Sequence, residues 1–427
     1  MRILVLGINY APEKTAVAPF TTGLCEYLAA RGHHVTVVTA FPYYPEWRVW
    51  DGYRGQLHRR ARLNGVDVHR VWHFVPRRAS RLLQRLLHDF SFALSALLAG
   101  WFADEFDLLY CSCPPPAVAL AAYALSRLRG KPYVIKLTDL ASDAALATGI
   151  LQEGLAVRAA RALEKFIYRH AAKVVCLCQG FVDKLAARGV SPRQLQIIPD
   201  WADTANVRPI DGATSFRRAN GFHARQFVML HTGNMGKKQE LRNVVRAAQL
   251  SNDDDDLQWL LVGHGEERDA LAEEIARAAL PNIRLLPLQP AAGLAEMYSA
   301  ADLLILNQRA TVQDAVIPSK LLTYMAAGRP VLAAVSEASE AARLIKLAEC
   351  GLVVPAGEPQ ALVDAALLLR QSPALCRRFG QNGRSFVTKH FTKQSVLLAY
   401  EQLFRRLTGE PELVPEVTRK AASVGSR

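Results

Sequence analysis

The sequence predicts an α/β protein of two Rossmann-like halves facing each other across a cleft. Three observations lead there. Apolar, strand-length runs alternate with helix-length amphipathic segments, the alternation occurs twice, and a Pro- and Asp-rich stretch, IIPDWADTANVRP, separates the two series. The length agrees, because 427 residues exceed what one ordinary core holds.

The first series opens on MRILVLGINY, a near-continuous apolar run ending in Gly7 and Asn9, which reads as a buried parallel strand followed by a functional loop. FTTGLCEYLAARGH then has helical spacing at Phe20, Leu24, Tyr27 and Leu28 with a stop at Gly32, and HVTVVTA returns as a strand, completing a right-handed βαβ unit. DLLYCSC, an Ala-rich helix after Pro116, PYVIKLTD and KVVCLCQ continue the pattern, so the first domain is assigned to 1–198. The second series runs through FVMLHTGN, a helix from Leu241 to Leu250, LQWLLVGHG, a helix from Arg268 to Ala279, IRLLPL, ADLLILNQ, a helix over 319–327 and PVLAAV. It is assigned to 199–388, with a late helix at 389–408. The aperiodic tail at 409–427 is expected to be disordered.

Half the residues are apolar and 21% are charged, which is ordinary, but the net charge is +13. Between Arg54 and Arg85 stand nine arginines (54, 59, 60, 62, 70, 77, 78, 81, 85) against one acid, Asp67, and an apolar stretch, Phe90 to Ala103, follows directly. A bilayer span needs roughly 20 such residues, so this one is too short to cross. Two readings remain for 54–103: a helix lying in the headgroup plane of an anionic membrane, or a buried helix with a solvated basic rim. Nucleic acid is set aside because no reading motif accompanies the arginines. Four of the seven cysteines form CxC pairs, Cys111/Cys113 and Cys176/Cys178, inside apolar strands, where buried thiols are expected rather than a metal site. With no signal-peptide pattern at the start, the expected location is cytoplasmic.

Three turns in the second half are candidates for an anion. TGNMGKK (Thr232 to Lys238) is a Gly-rich turn with two lysines, VGHGEE (Val262 to Glu267) is a second tight turn, and IPSKLLTYMAAGRPV places Ser319 at an expected N-cap with Lys320 in the first helical turn. Each alone is also ordinary strand-to-helix punctuation. Together they converge on a diphosphate. The acidic cluster NDDDD, 252–256, is expected to be solvated, and neither metal nor cofactor is expected.

INYAPE, PYYPEWRV, IIPDWAD, GNMGKKQEL, IPSKLLTYMAAGRPV and KHFTKQSVLLAYEQLF, in this order, resemble the retaining GT-B glycosyltransferases of the family 4 type. The resemblance implies a UDP- or GDP-linked sugar donor held mainly by the second domain. It implies an acceptor held by the first domain, a polyprenyl-diphosphate-linked oligosaccharide at the inner face of the cytoplasmic membrane, and a late helix crossing back to that domain. It carries donor binding onto Gly233, Asn234, Lys237, Lys238, Gly263, Gly265, Asp314, Pro318, Ser319, Lys320 and Thr323, and acceptor binding onto Asn9, Tyr10, Pro12, Glu13 and Thr15. Lys238 and Lys320 become the groups that neutralise the leaving diphosphate. Asp139, after PYVIKLTD, becomes a base or orienting group for the acceptor, a helix cap being its alternative. The chain departs from the family pattern where a pair of glutamates is usual, with Ala315 and Thr323, and in the first loop, with Ala16 and Ala18 for glycines. The alternative these departures leave open is a non-catalytic partner in polysaccharide assembly.

Overall fold

A computed structural model describes residues 1–14, 17–76, 82–147, 154–210, 212, 215–311 and 318–411. The chain divides into two compact units, one made of Met1–Pro199 together with the segment from Val396, the other of Asp200–Ser395. Each is built on one sheet.

The first unit carries β1 (Arg2–Leu6), β2 (His34–Ala40), β3 (His58–Leu63), β4 (Val66–Val71), β5 (Leu108–Cys113), β6 (Tyr133–Leu137), β7 (Lys173–Cys176) and β8 (Leu195–Ile197), in the order β3-β4-β2-β1-β5-β6-β7-β8. Neighbours run parallel except β3 and β4. That antiparallel hairpin corrects the simple strand-helix alternation expected from the sequence, and it lies inside the arginine block. Its turn is Asn64–Gly65, both with positive φ (49° and 83°), the conformation that two-residue hairpins favour.

The second unit carries β9 (Phe227–Asn234), β10 (Leu257–His264), β11 (Ile283–Leu286), β12 (Leu303–Asn307), β13 (Val331–Ala334) and β14 (Gly351–Val354), all parallel, in the order β11-β10-β9-β12-β13-β14. Successive residues of these strands feed opposite cores. Val228, Leu230, Leu304 and Leu306 join the cluster under Tyr324, while Met229, Leu303 and Ile305 join that around Trp259. Both faces are buried, which is why the strands read as unbroken apolar runs.

The helix predicted over the apolar stretch starts earlier, at Leu82, and ends at Trp101. His88, Phe92, Ala93, Ala96 and Gly100 form its buried face, and a Cβ on Gly100 would stand 2.6 Å from Leu125 of the helix Pro116–Arg129, so the glycine sets that approach. Its outer face carries exposed Leu83, Leu87, Phe90, Leu94, Leu98 and Trp101. A fully buried helix is thereby corrected. Among the described residues no helix is long and apolar enough to cross a membrane.

The late helix is two helices, Pro373–His390 and Lys393–Thr408, rather than one at 389–408. The break has a cause: the Phe391 carbonyl accepts from Ala202 N (2.9 Å), and the Thr392 hydroxyl accepts from Ser395 N (3.2 Å), capping the new helix. The last helix packs Tyr400 and Phe404 on Tyr110 of β5 and buries Glu401, which accepts from the Tyr27 hydroxyl (2.8 Å), Arg31 (3.3 Å) and Arg405 (3.0 Å) and stands 3.1 Å from His33. The predicted CxC cysteines are buried and form no disulfide among the described residues, and Cys178 lies just past its strand, at the N-cap position of the helix Gln179–Ala187. Residues 412–427 of the tail lie outside the described residues.

Candidate functional site

In the second sheet the chain leaves β9 for β10 on one side and returns to β12 on the other, so the topological switch point lies between β9 and β12. Ligands of doubly wound sheets sit outside the carboxyl ends of strands at such a point. There the ends of β9 (Gly233, Asn234) and β12 (Asn307) meet the turn holding Lys237 and Lys238. Asn307, which the sequence reading passed over, fixes this turn. Its buried amide donates to the carbonyls of Gln239 (2.7 Å) and Glu240 (3.0 Å) and accepts from Asn243 (2.9 Å). An Asn closing an otherwise apolar strand was the available signal. Lys238 O accepts from Arg309 N (2.9 Å); the ammonium of Lys237 is exposed, that of Lys238 half-buried, and among the described residues neither has a carboxylate within ion-pair reach.

Gly263 and Gly265 serve close backbone approach. A Cβ on Gly263 would stand 1.9 Å from the Gly233 carbonyl oxygen, and one on Gly265 2.6 Å from that of Met235. Only glycines let this turn nest on the end of β10. Beside it, a polar cavity of about 190 Å³ is lined by Arg242, Arg246, Arg309, Glu240 and Glu267. Two of its guanidiniums face carboxylates, Arg309 to Glu240 (3.9 Å) and Arg242 to Glu274 (3.5 Å).

The helix Ser319–Ala326 starts where its range was expected to, but its N-cap is Pro318 rather than Ser319, with φ −60° and ψ 125° and no side-chain cap bond. Proline has no N–H to satisfy and holds φ near this value, so the chain turns into helix directly after it and Ser319 becomes the first helical residue. Lys320 then reaches back to β9. Its Nζ lies 3.4 Å from Nε2 of the fully buried His231, whose Nδ1 lies 3.2 Å from the Ile305 carbonyl oxygen and donates to it. Burial first, and the adjacent ammonium second, hold His231 well below the usual histidine range, so the ring is neutral. Burial also pushes Lys320 down to about 8. A desolvated cation thus faces a neutral ring, and among the described residues no carboxylate is within ion-pair reach of it. Tyr324 of the same helix accepts from Thr232 N (3.0 Å), tying the helix to β9. Thr323 donates to Ser319 O (3.3 Å), so its hydroxyl is engaged within its own helix. Asp314 and Ala315 lie outside the described residues.

In the first sheet the corresponding switch point lies between β1 and β5. Asn9 donates to Glu13 (3.0 Å), and the buried Glu13 carboxylate also accepts from Tyr43 N and Tyr44 N (both 2.9 Å), joining the loops after β1 and β2. Arg70, buried on β4, donates to the carbonyls of Ala40 (3.1 Å) and Ala11, bracing the same loops. Tyr10 is buried, Pro12 is exposed, and Thr15 and Ala16 lie outside the described residues. Asp139, half-buried at the end of β6, precedes the helix Ala141–Ala147, whose Ser142 N is served by Glu164 (2.9 Å).

The sequence reading also missed an aromatic cluster at this edge. Tyr43, His73 and His88 meet edge to face at 4.8 to 5.0 Å, and Trp47 lies 5.6 Å from Tyr43. Burial pushes His73 down to about 3. The density of rings in PYYPEW and VWHF was the available signal.

Two parallel-sheet units, one with a half-buried cation at its switch point that no carboxylate among the described residues matches, define a class that similarity to known proteins makes explicit. The model of the glycosyl transferase 4-like domain matches residues 15–201, and that of glycosyl transferases group 1 matches 213–386. The chain belongs to the GT-B glycosyltransferases of the family 4 type. It is 29% identical over 411 residues to WcaI of Escherichia coli (strain K12), which carries the name of a colanic acid biosynthesis glycosyl transferase. That match covers 93% of this chain and 98% of the relative. Among solved structures it resembles the sucrose-phosphate synthase of Thermosynechococcus elongatus (TM-score 0.71, 19% identity, 96% and 99% covered). It also resembles Anabaena Alr3699/HepE in complex with UDP-glucose (TM-score 0.69, 17% identity, 95% and 100% covered).

Proposed function

We propose that this glycosyltransferase moves a sugar from a UDP- or GDP-linked donor to a polyprenyl-diphosphate-linked oligosaccharide, with retention of configuration, in the synthesis of an exopolysaccharide. The observation that carries the donor half is Lys320: a half-buried ammonium held against neutral His231, at a switch point, on the first turn of a helix. Removing a cation from water without a counter-charge is costly, and a diphosphate would supply that counter-charge. When the bond from the sugar C1 to the β-phosphate oxygen breaks, the electron pair stays on the phosphate. Lys320, Lys238 and the amides of the helix start stabilise that charge as it grows. The acceptor hydroxyl forms the new bond to C1, and its proton passes to the departing phosphate or to Asp139. UDP in the Anabaena complex supports a nucleotide donor here, and the name of the E. coli relative supports the polysaccharide setting. A lipid-linked acceptor places the enzyme peripherally on the inner face of the cytoplasmic membrane.

Calorimetric titration with UDP and GDP, without added metal, tests the donor half. Micromolar binding of one of them by the wild type and its loss in Lys320→Ala is the expected result. Failure of folded wild-type protein to bind either would remove Lys320 from the donor site and move the weight to the alternative, a non-catalytic partner in polysaccharide assembly.

A further inference from the structure

Resting on the lipid-linked acceptor proposed above, we infer that the outer face of the helix Leu82–Trp101 and the arginines of β3 form one docking surface for an anionic lipid bilayer. Exposed Leu83, Leu87, Phe90, Leu94, Leu98 and Trp101 succeed one another at steps of three or four residues, which places them on a single stripe. Leu83 is 70% exposed, Leu94 59%, and Phe102, just past the helix end, 74%. The stripe runs roughly 27 Å along the helix at 1.5 Å per residue, so it presents its length, not its end, to a partner. Soluble proteins seldom leave a continuous apolar stripe of this size in water.

Charge selects the partner. β4 packs against this helix, and β3, paired to β4, presents Arg59, Arg60 and Arg62 to solvent. Arg62 faces Asp67 at 3.9 Å and Arg54 pairs with Asp51 at 3.0 Å, but among the described residues Arg59 and Arg60 have no carboxylate in ion-pair reach. Exposed Leu57 and Trp72, joined by a backbone bond from Trp72 N to Leu57 O (2.9 Å), extend the apolar surface at the foot of the hairpin. A second copy of this chain is a poor occupant, because a two-fold interface through this face would bring the same arginines together. A bilayer containing anionic lipid accepts both halves, with leucines at the acyl boundary and guanidiniums at the phosphates.

The test sediments the full chain with vesicles of phosphatidylcholine, alone and with phosphatidylglycerol added, at low and high salt. The wild type is expected to pellet with the anionic vesicles and more weakly with the neutral ones. The double variant Leu87→Glu/Leu94→Glu is expected to stay in the supernatant with both. Arg59→Ala/Arg60→Ala is expected to lose roughly fivefold in affinity per arginine for the anionic vesicles at low salt and little for the neutral ones. Nucleotide titration and a melting curve on each variant report folding and the donor reading separately. A wild type that binds nucleotide yet ignores anionic vesicles would overturn the inference, and so would a double variant that pellets like the wild type. Concentration-dependent dimers that the double variant abolishes, without vesicle binding, would assign the face to a second copy and overturn it as well.

Discussion

At the switch point of the first sheet the buried Glu13 carboxylate accepts three hydrogen bonds and has little left to offer a ligand. At that of the second sheet the Lys320 ammonium faces a neutral histidine, with no carboxylate in ion-pair reach among the described residues. Both are charged groups near the carboxyl ends of parallel strands, and both were assigned to binding from the sequence. The difference teaches that position at a switch point does not make a binding group. Where the fold has consumed the hydrogen-bonding capacity, as at Glu13, we propose a brace, and where no described carboxylate matches a charge, as at Lys320, we propose an anchor.

The comparison breaks if Glu13 turns out to be an anchor. Glu13→Ala strands two backbone N–H groups and the Asn9 amide in a buried loop, so it is expected to destabilise the first unit by about 3 kcal/mol or more. Nucleotide binding by the second unit should survive under native conditions. Denaturant unfolding checks this, and a variant as stable as the wild type would refute the brace. Lys320→Ala is the converse: about 2 kcal/mol of diphosphate affinity should disappear, the scale of a hydrogen bond to a charged group. The unfolding midpoint should hold or rise, because a desolvated cation has gone.

The pH dependence sharpens the same contrast. Lys320 in the fold sits near 8, below its ordinary 10.5. Folding therefore disfavours its charged form, and its destabilising contribution, full below about 8, is relieved as pH rises from there toward the ordinary value. Diphosphate needs the ammonium, so affinity should be flat below about pH 7 and fall by up to roughly tenfold per unit above 8. Calorimetry across that range, with Lys320→Arg as the variant that stays charged, reads it; an identical fall in the arginine variant would assign the titration elsewhere. The smallest effect concerns the tie between helix and strand. Tyr324→Phe leaves Thr232 N without its acceptor and should cost about 1 kcal/mol in thermal unfolding.

Both sheets were legible where strands are buried on two faces, because MRILVLG or LQWLLVG carries its own apolar signature. The β3–β4 hairpin was not, since it is exposed, arginine-rich and marked only by Asn64–Gly65. The phosphate corner was legible as a motif, and Lys320 was found by its place on a helix start. His231 was invisible, because its part depends on being across a strand from Lys320, which no local spacing reports. The close backbone approach at Gly263 and Gly265 was hidden for the same reason: their tight partners, Gly233 in the neighbouring strand and Met235 just past it, are remote in sequence.

The burial of Glu401 has a consequence for the order of synthesis. The socket of Tyr27, Arg31 and His33 is made before any of the second unit, but the side chain that fills it arrives after the whole second unit has been translated. The first-born unit is thus the last to be finished. A chain stopped at Ser395 should retain nucleotide binding yet leave Tyr110 of the first unit open to proteolysis and aggregation. Pulse proteolysis of the stopped and full-length chains would reveal which unit gives way.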